Sequence, residues 1–515
     1  MNRNFDSSNH QHLIYKHPPL EIAVLGGIRL EGLDRMRVTL KVGMEHLSIR
    51  HSFDLYNDSQ TERMIRKIAE RLEVGTSVSA SALSSLTDLL EAWRLEELEK
   101  QQTTKEEKRK ILTEKEVQKA TIYLSAPNLM NRTKEDLGKC GIIGEEDNRL
   151  LMFLIFLTRK MNHPLHIISL GSSGAGKTHL QEKVAALVPE EDKREITTLS
   201  GNAFYYFGTH EISHKLIVIE DLDGAEDVLY PMREIKSKGK VTKEVVHKNT
   251  QGKAETVTLT VEGPVCIAGC TTKESLYEDN ANRSFLIYID ESAEQDEQIM
   301  SYQRKLAAGK IDLHSQQEMI EFFKDLNRVL KPVQVRNPFA EQLKIPKEVF
   351  KPRRTNTHYL AFIEAVTFYH QFQREKQYDQ ETGEEFIETT LEDIQEANNL
   401  MKEVLLRKSD PLTGACRNYF ERLKSYLKTK GENQYSAREI MREMRIRETT
   451  LRRYHQHLEL ADFITITKDK KYKGYKYELI NDGDFKELRH KISTVLDEIL
   501  AKLKDQSQPK KKPKK

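Results

Sequence analysis

Cysteine, proline and glycine are all scarce in this chain of 515 residues, with 4, 14 and 24 copies, and tryptophan occurs once. Four cysteines, Cys140, Cys266, Cys270 and Cys416, are too few and too scattered to hold so long a chain with disulfides. A reducing, cytoplasmic setting is therefore expected. Cys266 and Cys270 stand four apart with no second pair and no histidine pair, which does not fit a zinc site. Low glycine and proline argue against a collagen-like or long disordered chain. Long apolar runs are missing too. No stretch approaches the roughly 18 residues that span a bilayer, and residues 1–11 are polar with no apolar signal core. Membrane and secreted classes are set aside.

Charge of one sign is also lacking. Lys and Arg number 82 against 80 Asp and Glu, and five of those lysines (Lys510, Lys511, Lys512, Lys514, Lys515) form the tail. Any attraction to nucleic acid must then come from local patches. What the chain does hold is charge of both signs, 31% of residues against a typical value of about 25%, which reads as extensive solvated helix surface.

The order of patterns suggests several units. Residues 1–95 carry β-type runs at 21–25, 36–42 and 47–55, punctuated by Gly26, Gly27, Gly32 and Gly43, and then a helical pattern at 61–72. A small β-rich domain is expected there. Residues 96–120, dominated by Glu, Lys, Gln and Arg, read as a charged helical connector. Over 121–375 apolar runs at 166–170, 195–199, 216–219, 265–268 and 285–289 alternate with helical patterns, the signature of an α/β domain with a parallel sheet and a helical lid. The pattern after residue 310 is helical to about 407, with 376–410 as a second connector. A small unit follows at 411–490, then a helix and basic tail at 491–515.

The sharpest motif is Gly171-Ser172-Ser173-Gly174-Ala175-Gly176-Lys177-Thr178, which fits GxxxxGK[ST] between an apolar strand and a helical stretch. Glycines let backbone amides turn inward around a phosphate, and the helix N-terminus adds its positive end. Lys177 would reach the β- and γ-phosphates, and the Thr178 hydroxyl would ligate Mg²⁺. ATP and Mg²⁺ are the expected cofactors. Hydrolysis further requires a carboxylate on the metal and a group that activates water. Residues 216–219 end in Glu220-Asp221, which puts two acids at the carboxyl end of a buried strand. Glu220 is assigned to the metal and Asp221 to the water, with the reverse left open because the usual order is Asp then Glu.

The succession of P-loop, Ile-Glu-Asp-Leu-Asp223, a Lys-rich hairpin, Ala268-Gly-Cys-Thr271-Thr272 and Asn282-Arg283-Ser-Phe285 resembles an AAA+ ATPase. Within that class it is similar to the MCM-like helicases and to the helicase portion of mobile-element DNA primases. The resemblance covers about residues 145–375. It implies that Thr271 senses the γ-phosphate, that Arg283 is the arginine finger entering the next subunit's site, and that Arg354, or its neighbour Arg353, is a second sensor. A homo-hexameric ring would follow.

Two places suit nucleic acid. Alternating runs at 241–248 and 254–261 flank an Asn-Thr-Gln-Gly turn, a β-hairpin whose near side holds Lys236, Lys238, Lys240, Lys243, Lys248 and Lys253. In a ring, Lys243, Lys248 and Lys253 would meet the phosphates of a single strand in the channel. A lysine-rich solvated hairpin is the plain alternative. Residues 411–482 read as three helices and a β-ribbon, resembling a winged helix-turn-helix that would offer Thr449, Arg452 and Arg453 to duplex DNA. Leu451, Leu458 and Leu460 are assigned to its core. The expected function is a ring-forming DNA helicase in mobile-element replication. No primase module is visible, so a separate primase or initiator partner is implied. A loader that uses ATP as an assembly switch is the alternative.

Overall fold

The computed structural model describes residues 4–29, 35–106, 110–197, 202–223, 228–248, 254–272, 283–468, 475–480 and 483–507. The chain divides into two compact units, Met1–Ile111 and Leu112–Lys515.

In the first unit β1 (Phe5–Asp6), β2 (His12–His17), β3 (Leu20–Leu25), β4 (Arg37–Met44) and β5 (Leu47–Asp54) form an antiparallel meander in that order. Alternation drives it: Val38, Leu40 and Val42 of β4 are buried, and Thr39 and Lys41 between them are not. Helix α1 (Asp58–Leu72) starts at Asn57, whose side chain accepts the Gln60 amide, and closes the core with Met64, Ile68 and Leu72. Helix α2 (Thr76–Glu106) adds Leu83, Leu86, Leu90 and Trp93 to the same core. Residues 96–106 therefore continue a helix of the β-rich unit, and the break falls at Ile111 rather than at 95.

The second unit opens with α3 (Glu114–Ser125), α4 (Leu129–Lys139) and α5 (Glu146–Leu157). From Arg149 to Leu157 every residue of α5 is buried, as befits a helix apolar on all sides that packs centrally. In chain order follow β6 (Ile167–Leu170), α6 (Lys177–Ala185), β7 (Lys193–Ile196), β8 (Lys215–Ile219), α7 (Leu229–Lys238), β9 (Lys240–Lys248), β10 (Ala254–Glu262), β11 (Val265–Thr271) and β12 (Phe285–Tyr288). Among the described residues the main sheet runs β12-β6-β11-β8-β7, and every neighbouring pair is parallel. Ile167, Leu216, Val218, Cys266 and Ala268 face one core, while Ile168, Ile217, Ile219 and Ile267 face another. Both faces of the sheet are therefore covered. The β9–β10 hairpin pairs antiparallel, as its alternation suggests.

Helices α8 (Ala293–Ala307) and α9 (Leu313–Val329) come next. The stretch expected to be helical then holds a second sheet, β13 (Gln334–Arg336), β14 (Gln377–Tyr378) and β15 (Glu385–Glu388), ordered β13-β15-β14. Pro332 and Pro338 bracket β13, and a turn closed by Gly383 N–H donating to Asp379 O (2.9 Å) joins β14 to β15. Between these strands lies α10 (Pro352–Tyr369), and α11 (Leu391–Ser409) follows.

The C-terminal part holds α12 (Gly414–Lys430), β16 (Gln434–Ser436), α13 (Ala437–Met444), α14 (Glu448–Leu460), β17 (Ile464–Lys468) and β18 (Tyr475–Leu479). Its antiparallel sheet is ordered β16-β18-β17. Leu451 and Leu458 are buried with Phe420, Leu423 and Phe463. Leu460, expected inside, is 86% exposed, because two residues past Leu458 turn a side chain about 200° around the helix. Helix α15 (Asp484–Ser507) returns to the main core through Ile492, Leu496, Leu500 and Leu503. The expected divisions at 376, 411 and 491 thus fall inside the second unit. No helix among the described residues is long and apolar enough to cross a membrane.

Candidate nucleotide site

Strand β6 is buried to its last residue, Leu170, and the chain then turns through the glycine-rich segment into α6. Gly174 and Gly176 have φ of +83° and +91°, and an added Cβ at either would meet nothing within 4 Å. Backbone conformation, not lack of room, calls for glycine here. Helix α6 begins at Lys177 with no side chain capping its first turn, so amides at that end face the loop's hollow. Lys177 is 8% exposed and its ammonium donates to the carbonyls of Gly171 (2.9 Å) and Ser172 (2.6 Å). Burial pushes the Cys270 thiol up to about 12, against the opposing pull of Thr178 and Lys177 beside it. Thr178 therefore lies at the end of β11, next to the loop.

Register places the remaining groups. Thr271 of β11 pairs with Leu170, and Ile219 of β8 pairs with Gly269, so Gly171, Thr271 and Glu220 leave the sheet side by side at its carboxyl edge. The buried Gln181 of α6 donates to the Ile219 carbonyl (3.2 Å), and the amides of Glu220 and Leu222 donate to Ile196 O (3.2 Å) and Cys270 O (2.9 Å). The acid pair is thus held between two strands and α6. Glu220 is half-buried and Asp221 exposed.

Two further acids at this edge escaped the sequence reading. Asp223 accepts from the Thr271 hydroxyl (2.5 Å), the Thr272 amide (3.2 Å) and the Thr272 hydroxyl (2.8 Å), and its own amide donates to Asp221 Oδ1 (2.8 Å). It carries the i, i+2 spacing from Asp221 that could have marked it. Glu291, just past β12, accepts from the Ser172 amide (2.7 Å) and hydroxyl (3.0 Å). Only the sheet order, which sets β12 beside β6, brings it there. A cleft of about 820 Å³ opens beside Ser172 and Glu291, lined also by Asn148, Tyr288, Arg407 and Tyr419.

The two arginines lie elsewhere. Phe285 pairs with Ile167, so Arg283 precedes the start of the strands, about 16 Å back along the sheet from Leu170. Its Nε donates to Ser237 Oγ (2.8 Å). Arg354 and Arg353 are exposed in the first turn of α10. Four residues on, the His358 ring stacks on Phe285 (5.4 Å between centroids). Burial, then the cations Lys408, Arg354 and Lys236, pull His358 down to about 3. Arg283 therefore lies at the edge of the sheet opposite its own P-loop, and Arg354 stands one helical turn before the His358 ring that stacks on Phe285.

The hairpin lysines are more engaged than their composition suggests. Lys236 donates to Ser284 Oγ (3.1 Å), Lys238 pairs with Glu234 (2.7 Å), and Lys240 pairs with Glu262 (3.1 Å). Lys243 bonds Asn202 and lies 4.9 Å from the Tyr205 ring centroid. Lys253 and the side chain of Lys248 lie outside the described residues, as does the segment 469–474 between β17 and β18. Thr449, Arg452 and Arg453 are exposed on α14, opposite its buried Leu451, His455 and Leu458.

Residues 117–332 match a family described as the MTBMA_p00010 P-loop domain. No curated protein matches the chain. Among solved structures it is similar to a full-length MCM homolog from Methanopyrus kandleri, at 10% identity and a TM-score of 0.28, covering 78% of this chain and 75% of that one.

Proposed function

We propose, from the P-loop domain matched over residues 117–332, that this chain is an ATP-dependent DNA translocase of the MCM-like kind, working as a homo-hexameric ring in the replication of a mobile element. One observation carries the reading. P-loop, acid pair and Thr271 converge at one edge of the sheet, while Arg283 precedes the strands at the other, which suits an arginine offered to a second copy's nucleotide.

The residues divide the work accordingly. Backbone amides from Gly171, Ser172, Ser173, Gly174, Ala175 and Gly176 cradle the phosphates, and Lys177 leaves its two carbonyls for the β- and γ-phosphates. The oxygen donors of Thr178, Glu220 and Asp221 suit a hard divalent cation, and Mg²⁺ supplies charge neutralisation on the phosphates when bound. Whichever of Glu220 and Asp221 is turned from the metal orients the attacking water, and Thr271 reads the γ-phosphate. Arg283 from a neighbour stabilises charge developing in the transition state, with Arg354 as a second contact. The cleft beside Ser172 has room for base and sugar. The β9–β10 hairpin follows a strand in the channel, and the 411–480 part, with the helix and strand order of a winged helix, contacts duplex DNA through Thr449, Arg452 and Arg453.

Strand displacement on a forked duplex, with ATPase measured alongside, tests this. Lys177→Ala should lower both on the order of 100-fold. Full unwinding by that variant would refute the assignment. A second reading, a loader or initiator that assembles with ATP but does not unwind, is favoured by one fact: Lys236, Lys238, Lys240 and Lys243 all have partners within the chain. DNA-stimulated ATPase without strand displacement would select it.

A further inference from the structure

The carboxyl end of α7 joins two parts of the molecule that the motor reading treats separately. Two hydrogen bonds cross there in opposite senses between neighbouring pairs of residues. Arg283 Nε donates to Ser237 Oγ (2.8 Å), and Lys236 Nζ donates to Ser284 Oγ (3.1 Å). Ser284 is fully buried, so its side of the clasp cannot drift in solvent. Burial also lowers the Lys236 amine to about 7, with Arg283 adding to the effect, which places the two cations close together.

The same helix end carries the hairpin. Gly239 closes α7 in the left-handed region (φ +67°), and β9 begins at the next residue. The Gly239 carbonyl accepts the Gly263 amide (2.7 Å), and Lys240 pairs with Glu262 (3.1 Å), so both strands of the hairpin are anchored at this point. Strands β9 and β10 pair over nine residues, a ribbon about 30 Å long. A small displacement at its base accompanies any swing of its far end. Ser237 and Lys236 lie within one turn of that base, on the helix that holds Arg283.

We infer that the α7 end is a clasp through which a strand gripped by the hairpin sets the placement of Arg283, making Ser237 and Lys236 positioning residues for the arginine offered to the neighbouring copy. This rests on the motor reading above. The clasp makes hydrolysis in one subunit answer to DNA held by the next, with the Ser237 and Ser284 hydroxyl contacts among its links.

The readout is the ratio of ATPase with single-stranded DNA to ATPase without it, since a purely structural loss would lower both rates alike. Ser237→Ala should reduce that ratio about fivefold, and Ser237→Thr, which keeps the hydroxyl, should restore it. Particle mass by light scattering confirms that each variant assembles as the parent does. If Ser237→Ala keeps the full ratio while Arg283→Ala abolishes hydrolysis, the clasp is overturned and the motor reading survives. If Ser237→Thr fails to rescue, the hydroxyl is not the coupling element and the clasp is again overturned. If Arg283→Ala hydrolyses ATP at the parent rate, the trans arginine itself falls, and the clasp with it.

Discussion

Asp223 accepts three hydrogen bonds from two consecutive threonines and its amide tethers Asp221, so a single residue links Thr271 and the acid pair. Each charge-assisted bond of this kind contributes on the order of 1.5–3 kcal/mol, and in the proposed motor losing them would free Thr271 from the place where it is to read the γ-phosphate. Asp223→Ala should therefore lower kcat for ATP at least about tenfold while nucleotide affinity changes less than about threefold, read by steady-state kinetics and a binding titration. Equal losses in both would mean that Asp223 only supports the fold of the loop. Lys177 and the loop glycines were legible in the sequence because their chemistry is local, eight consecutive residues between a strand and a helix. Glu291 was not, since it meets Ser172 across 119 residues of chain and only the pairing of β12 with β6 delivers it. Asp223 stood in the quoted motif without a role, because its partners lie on a different strand.

At the scale of elements, the five parallel strands were legible from short apolar runs separated by helical patterns; β11 runs on to Thr271, and β7 lies at Lys193–Ile196 where 195–199 was expected, residues 198–199 being outside the described ones. Its solvent-side residues Arg194 and Glu195 dilute the apolar signal of an edge strand. The β13-β15-β14 sheet was not legible because strands of two to four residues hold at most two periods of alternation. The hairpin was legible as geometry, but the partners of its described lysines were not, since the Ser284, Asn202 and Tyr205 contacts depend on neighbours far along the chain. Helix α14 carries a separate consequence. His455 is buried against Tyr419 Oη (2.8 Å), Tyr435 Oη (3.4 Å) and the Tyr477 ring, and burial lowers its pKa from 6.5 to about 4. The unfolded chain then binds more protons than the folded one between those values, so stability falls as pH drops through 6.5 toward 4. This part should lose about 2 kcal/mol between pH 7 and pH 5. Denaturant melts of the whole chain followed by tyrosine fluorescence should show that slope, and His455→Gln should flatten it. An unchanged slope in the variant would assign it to other groups.

At the scale of the whole molecule, a parallel sheet separates what its two edges can touch. The carboxyl ends of the strands and the segments just after them bear Lys177, Glu220 and Thr271, and the segment before β12 bears Arg283, so the two sets lie at opposite edges of one sheet. In the proposed motor, oligomerisation would be the route by which this fold completes the site. The sequence pointed to that only through resemblance, because position along a strand, not residue type, decides which edge an arginine occupies. The most direct test mixes two inactive chains. Lys177→Ala and Arg283→Ala should each lack ATPase alone, and an equal mixture, reassembled, should regain about a quarter of the parent rate, as expected when intact sites form at random between copies. A mixture that stays inactive while forming mixed particles, or an Arg283→Ala chain that is fully active by itself, would contradict a nucleotide site shared between subunits.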